Sequence, residues 1–144
     1  MIERSRSFRV DGIVIRHKDW GEADRIITIY TKEYGKIRML AKGAKKIQSR
    51  KAGHVEPFTH IIAQLDRTAD LPIINQVETI EPFFTIRDSL PVLSQGLFVL
   101  ELMDRFTRED EGEDLPLFDL LRDTIHRLET EEDLWLVVSY FVLK

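Results

Sequence analysis

Apolar and polar residues alternate along the first half of the chain, and the apolar residues switch to helical spacing in the second. Residues 7–16 carry Phe8, Val10, Ile13 and Ile15, with Asp11-Gly12 breaking the alternation. A glycine inside a strand marks a bulge or a sharp bend. Residues 25–31 form a β-branched and aromatic run, Ile26-Ile27-Thr28-Ile29-Tyr30-Thr31, which suits a pleated, half-buried surface. Lys32-Glu33-Tyr34-Gly35 then reads as a turn with Gly35 where a positive φ is needed. Residues 36–41 are a third strand, and residues 60–67 and 73–80 are two more. The Gly-, Lys- and Ser-rich stretch 42–57 reads as a long loop, with or without a short helix. Five short strands with one longer insertion after the third predict a small, partly open Greek-key barrel over residues 1–81, the OB-fold.

The period changes after Pro82. Leu90, Leu93, Leu97, Leu100 and Met103 lie at helical spacing, widened by Val92, Val99 and Phe106, and Pro91 sits in a tolerated first-turn position. An acidic loop, residues 109–114, ends this helix. Asp114 and Pro116 read as the cap and first turn of a second helix with Leu117, Leu120, Leu121, Ile125 and Leu128 on one face. Thr130-Glu131-Glu132-Asp133 resembles a capping box, with Asp in place of the usual Glu or Gln, and its acids suit the helix dipole. The segment it opens is strongly apolar (Leu134, Trp135, Val137, Val138, Phe141, Val142, Leu143) and is followed by no Gly, Pro or polar tail. Such a surface needs a covering partner. The expectation is an α+β chain in which residues 82–144 are a truncated helical domain of a longer protein.

Composition sharpens this picture at three points. The 144 residues suit one domain or two small ones, and the absence of cysteine removes disulfides, thiol nucleophiles and cysteine zinc sites from this stretch. No apolar run reaches the roughly 18 residues of a spanning helix, and Met-Ile-Glu-Arg-Ser-Arg is not the start of a signal peptide. A cytoplasmic location without a membrane partner is therefore expected. The net charge of −4 is unevenly spread: residues 1–80 hold 15 Lys/Arg against 10 Asp/Glu, and residues 81–144 hold 6 against 15. A basic half joined to an acidic half suggests two modules with different partners.

The basic residues concentrate in one segment. Lys36, Arg38, Lys42, Lys45, Lys46, Arg50 and Lys51 lie in a stretch, residues 36–51, that has no acid. On a strand and its following loop they form a track for a phosphate backbone, with Gly43 and Gly53 allowing close approach. The alternative is a solvated loop. Bases in OB-folds stack on aromatic rings, and Trp20, Tyr30, Tyr34, Phe58 and His60 are the candidates; Tyr30 and Phe58 are expected to fill the barrel, and Tyr34 to be exposed in its turn. Arg4, Arg6 and Arg9 either extend the basic face or are ordinary edge charges. Little points to catalysis. The four histidines, His17, His54, His60 and His126, lack metal-ligand spacing, and Lys42-Gly43-Ala44-Lys45-Lys46 is not a P-loop. Glu22 and Asp24 stand two apart, as in a Mg²⁺ nuclease, but read more simply as turn acids or partners of Arg25. No catalytic or metal-binding residue is assigned.

The segments Gly12-Ile13-Val14-Ile15-Arg16, Gly21-Glu22-Ala23-Asp24-Arg25-Ile26-Ile27-Thr28-Ile29-Tyr30-Thr31, Gly35-Lys36-Ile37, Leu40-Ala41-Lys42-Gly43-Ala44-Lys45-Lys46 with Ser49-Arg50, and Glu56-Pro57-Phe58-Thr59 together resemble the N-terminal domain of RecO proteins. Leu100-Glu101-Leu102 and Leu117-Phe118-Asp119-Leu120-Leu121 carry the likeness into the second half. The resemblance implies an OB-fold followed by a helical domain, binding of single- and double-stranded DNA, annealing of complementary strands, and partnership with RecR and the single-strand-binding protein. It implies no enzyme and no cofactor in this stretch; the Cys-x-x-Cys zinc module of many members would lie past Lys144. The competing reading is a protein–protein adaptor in which DNA binding is incidental, motivated by the acidic helical half.

Overall fold

The protein is described here by a computed structural model that covers residues 6–45, 52–83, 85–109, 111–130 and 134–143. The first half folds into β1 (Ser7–Trp20), β2 (Asp24–Thr31), β3 (Gly35–Ala41), β4 (His60–Asp66) and β5 (Ile73–Glu81). These close into a ring in the order β1-β2-β3-β5-β4, with β4 pairing back to β1. Every pairing is antiparallel except β3–β5, a short parallel contact where Leu40 faces Ile73. This is the five-stranded OB-fold arrangement, with the ring closed where the sequence suggested a partly open one. The Leu40 N–H closes the seam by donating to the Pro72 carbonyl at 2.8 Å.

Period-two alternation sorts the side chains onto two faces. Val10, Val14, Ile27, Ile29, Met39, Ile61, Leu65 and Ile74 fill the barrel, joined by Ala44 and Val55 from the β3–β4 connection. A 3₁₀ turn, Ala52–Val55, lies in that connection. A second core forms on the outside of the ring, where Ile13, Ile15, Tyr30 and Phe58 meet the helices. Tyr30 and Phe58 are therefore buried as expected, but against the helices and not inside the barrel. Gly12 is not a bulge either. It is the site of closest approach to β2, where a Cβ would come within 2.6 Å of the Tyr30 carbonyl oxygen. The bulge falls between Val14 and Arg16, so that Ile15 joins the second core and the strand continues to Trp20.

The helices are α1 (Thr85–Asp88), α2 (Leu90–Phe106), α3 (Leu115–Thr130) and α4 (Leu134–Leu143). Asp114 caps α3 as expected, its carboxylate accepting the Leu117 N–H at 3.1 Å. Glu131, Glu132 and Asp133 of the expected capping box lie outside the described residues; Thr130 ends α3, its hydroxyl donating to the His126 carbonyl at 3.3 Å. The buried face of α2 is Gly96, Val99, Leu100 and Met103, while Leu90, Leu97 and Phe106 are exposed. Of the expected stripe, Val99, Leu100 and Met103 are thus buried and Val92 and Leu93 pack against the same core; Gly96 adds the Phe58 ring to this face, since a Cβ there would be 2.8 Å from Cε1 and 2.9 Å from Cζ of that ring. Among the described residues, no helix is long and apolar enough to cross a membrane.

Candidate nucleic-acid interface

The part of the barrel's outer surface that the helices leave bare carries a groove of about 820 Å³. Strand register builds its floor from two cross-strand rows. Arg16, Thr28 and Arg38 form one, and Lys18, Ile26 and Leu40 form the next, continued by Ile73 on β5. Trp20 at the end of β1 and Lys42 just past β3 close one end. The β4–β5 connection supplies the opposite wall through Thr68, Asp70 and Leu71. Thr68 stiffens that wall: its hydroxyl donates to the Leu71 carbonyl at 2.7 Å and accepts the Asp70 N–H at 3.1 Å.

The lining has a plain chemical character. Arg16, Lys18, Arg38 and Lys42 bring four cations against one acid, Asp70, over an apolar floor. The indole of Trp20 is 54% exposed at the rim. Cations for phosphates, an exposed flat ring and an apolar floor are what a single strand of nucleic acid meets in an OB-fold, whose second and third strands and neighbouring loops form the binding face.

The cations are held differently. Arg16 pairs with Asp104 of α2 at 3.3 Å, and Arg38 with Glu109 at 3.0 Å. Lys18 and Lys42 are exposed and form no ion pair among the described residues. Lys36 is turned away from the groove: its ammonium lies 2.8 Å from the Asp104 carboxylate and donates to the main-chain carbonyls of Asp104 (2.8 Å) and Thr107 (3.3 Å). A cation on the last carbonyls of a helix is favoured by the helix dipole, so Lys36 fastens the barrel to the end of α2. Burial alone would raise the Asp104 carboxyl, but hydrogen bonds and charge from Lys36 and Arg16 outweigh it and hold it below its ordinary value. Lys45 bridges to the β1–β2 connection, donating to the Gly21 carbonyl at 3.2 Å and lying 3.7 Å from Asp19.

Of the basic track read from the sequence, Arg38 and Lys42 thus line the groove, Lys36 and Lys45 are engaged elsewhere, and Lys46, Arg50 and Lys51 lie outside the described residues. Arg16 and Lys18 line the groove outside that track. Their signal is the alternation Arg16, Lys18, Trp20, although residues 17–24 taken alone have the composition of a polar connection. Arg9 lies in a separate hollow with Gln64 and Glu78. The Arg6 carbonyl accepts the Arg67 N–H at 2.6 Å, and Arg4 lies outside the described residues.

Asp24, Arg25 and the histidines have structural partners. Asp24 accepts the Gly43 N–H at 2.8 Å and so shapes the turn after β3, where Gly43 has a φ of 73°. Arg25 pairs with Asp19 and Glu56, each at 3.3 Å. The four histidines are dispersed: His17 lies near Glu56, His54 bonds Thr79, His60 is buried on Asp11 at 2.5 Å, and His126 packs edge-on against Phe83.

Residues 5–83, more than half of the chain, match the family model described as "Recombination protein O N terminal". The chain belongs to the RecO family. Among curated relatives, it is 38% identical over 137 residues to the DNA repair protein RecO of Pelotomaculum thermopropionicum, covering 95% of this chain and 53% of that protein. It is 36% identical over 136 residues to the DNA repair protein RecO of Halalkalibacterium halodurans, covering 94% and 53% respectively. A third, from Roseiflexus sp., is 38% identical over 125 residues, covering 87% and 44%. The chain thus spans about half the length of the curated relatives it matches. The matched region, 5–83, contains the whole barrel and every residue lining the groove.

Proposed function

We propose that the chain is the DNA-binding part of a recombination-repair mediator, taking single-stranded DNA, and duplex DNA less intimately, in the groove between β1, β2, β3 and the β4–β5 connection. The observation that carries this is the four-cation lining beside an exposed tryptophan on the OB-fold's bare face. The RecO relatives, which are named as DNA repair proteins, support it. Arg16, Lys18, Arg38 and Lys42 neutralise phosphates and Trp20 stacks a base. Neutralising the backbones of two strands weakens the repulsion that slows their pairing, which makes annealing of complementary strands the activity that follows. Loading of a recombinase together with RecR and the single-strand-binding protein belongs to the same reading of the whole protein. The mechanism needs no covalent chemistry, and no cofactor is assigned to residues 1–144.

Titration with an oligothymidylate at low salt tests the reading, following protein fluorescence. Binding should quench the indole signal, and Trp20→Ala should remove most of the quench and weaken binding about fivefold or more, the lower end for loss of one stacked base. A folded protein that does not bind at low salt refutes it. The adaptor reading has its own support in the exposed Leu97, Phe98 and Phe106 of α2. Retention of RecR in a pull-down by a variant that has lost DNA binding would favour it.

A further inference from the structure

The groove does not end at Arg38. That residue and Leu71 also line a second hollow, of about 470 Å³, between the β2–β3 turn and the β4–β5 connection. We infer that the bound strand continues past Arg38 into this hollow, where the ring of Tyr34 stacks a further base; the inference rests on the DNA-binding reading of the groove.

The ring is presented and held. Tyr34 is 40% exposed at the tip of the β2–β3 turn. Phe8 meets it edge-on, with centroids 5.6 Å apart and planes at 88°, and the Arg67 guanidinium covers Phe8 at 4.2 Å. The Tyr34 N–H donates to the Thr31 hydroxyl at 2.9 Å, and that hydroxyl donates to the Gly35 carbonyl at 2.8 Å. Gly35, at a φ of 69°, abuts the Gly112 carbonyl so closely that any Cβ would collide with it. A ring fixed in this way loses little freedom on stacking.

The chemistry of the hollow selects a base over a phosphate. Its acids, Glu33 and Glu109, stand against its cations, and Arg38 is already paired with Glu109. Apart from those charges, the lining is apolar and aromatic: Phe8, Ile37, Leu71 and Pro72 surround Tyr34. Phosphates therefore stay over the four-cation groove while the next base turns in against the tyrosine.

The test is a length series of labelled oligothymidylates, roughly four and roughly eight nucleotides long, within the range of about 4–16 that an OB-fold covers. The wild-type protein should bind the longer oligonucleotide more tightly. Tyr34→Leu should lower affinity for it about fivefold while leaving the shorter one unchanged, and Tyr34→Phe should keep the full affinity. Trp20→Ala should weaken both lengths. Abasic sites at one end of the longer oligonucleotide should reproduce the Tyr34→Leu loss on wild-type protein, independently of how that variant folds. Equal wild-type affinity for both lengths, or a Tyr34→Leu loss equal at both, overturns the extension and leaves the groove reading standing. Absence of binding to either length overturns both.

Discussion

Lys18 and Lys42 offer the cleanest test of the groove as a phosphate path. Both are exposed and unpaired among the described residues, so replacing them with Ala should change stability by no more than about 0.5 kcal/mol. Arg16 and Arg38 already face carboxylates, and a phosphate that binds them exchanges one anion for another. The two lysines instead release condensed counterions directly. On single-stranded DNA, each phosphate neutralised contributes about −0.7 to the slope of log affinity against log salt. The double variant should therefore have a slope shallower by about 1.4, whatever the arginines contribute. Between about 50 and 200 mM salt this amounts to a roughly sevenfold convergence of the wild-type and variant affinities. Fluorescence anisotropy at several salt concentrations measures both lines. Parallel lines from two folded proteins would refute the assignment of these lysines to the backbone path, however much the absolute affinity had changed.

Other consequences follow from the same contacts. Glu109→Gln should free Arg38, tighten DNA binding at low salt and steepen the slope by about 0.7; an unchanged slope would mean that Arg38 is not on the path. Asp104→Asn should cost about 1–3 kcal/mol in a urea titration, because it leaves Lys36 without its carboxylate. Since the folded Asp104 carboxyl is held below its usual 3.8, its contribution is complete above that value and is lost as the pH falls through the lower folded value. The wild-type urea midpoint should therefore drop more steeply below about pH 4 than that of Asp104→Asn. Tyr30 is pushed up to about 12, chiefly by burial and secondarily by Asp114 and Glu111. The unfolded chain thus ionises first, and stability should fall from about pH 10 upward, less so in Tyr30→Phe. Gly96→Ala should destabilise the protein by about 1–2 kcal/mol in thermal or urea unfolding, although alanine favours helix, because its methyl group would press into the fully buried Phe58 ring.

The strands were legible where one face is apolar. β2 alternates Ile27 and Ile29 inward with Ile26, Thr28 and Tyr30 outward, and the Gly35 turn announces the return into β3. The pattern predicts a β1 that stops at Arg16 because the apolar alternation ends at Ile15: from Arg16 onward one face is the bare groove and the other leaves the barrel core. The basic track was legible as a composition but not as a surface. Lys36 and Arg38 share one face of β3, paired with Tyr30 and Thr28 respectively. What separates them is the end of α2, which covers the first and stops short of the second. How far a helix reaches across a barrel depends on tertiary packing, here on Gly96 admitting Phe58, and no local pattern encodes it.

That packing also joins the basic half to the acidic half directly. The end of α2 and the loop after it place acids of the second half on cations of the first, joining Asp104 to Arg16 and Lys36, and Glu109 to Arg38. The more exposed pairs, Arg16–Asp104 and Arg38–Glu109, add little stability; their effect is on position. Two of the four groove cations are held by carboxylates that the barrel does not own, and Gly112 braces the turn that carries Tyr34. On the proposed reading, the acidic half would not need to touch DNA to matter for binding it. It fixes where Arg16 and Arg38 stand, and it makes both arginines exchangeable, since a phosphate must displace a carboxylate to engage them. On the proposed DNA-binding reading, a strand gripped outright by two lysines and only conditionally by two arginines would be held loosely enough to be handed on, as the proposed annealing requires.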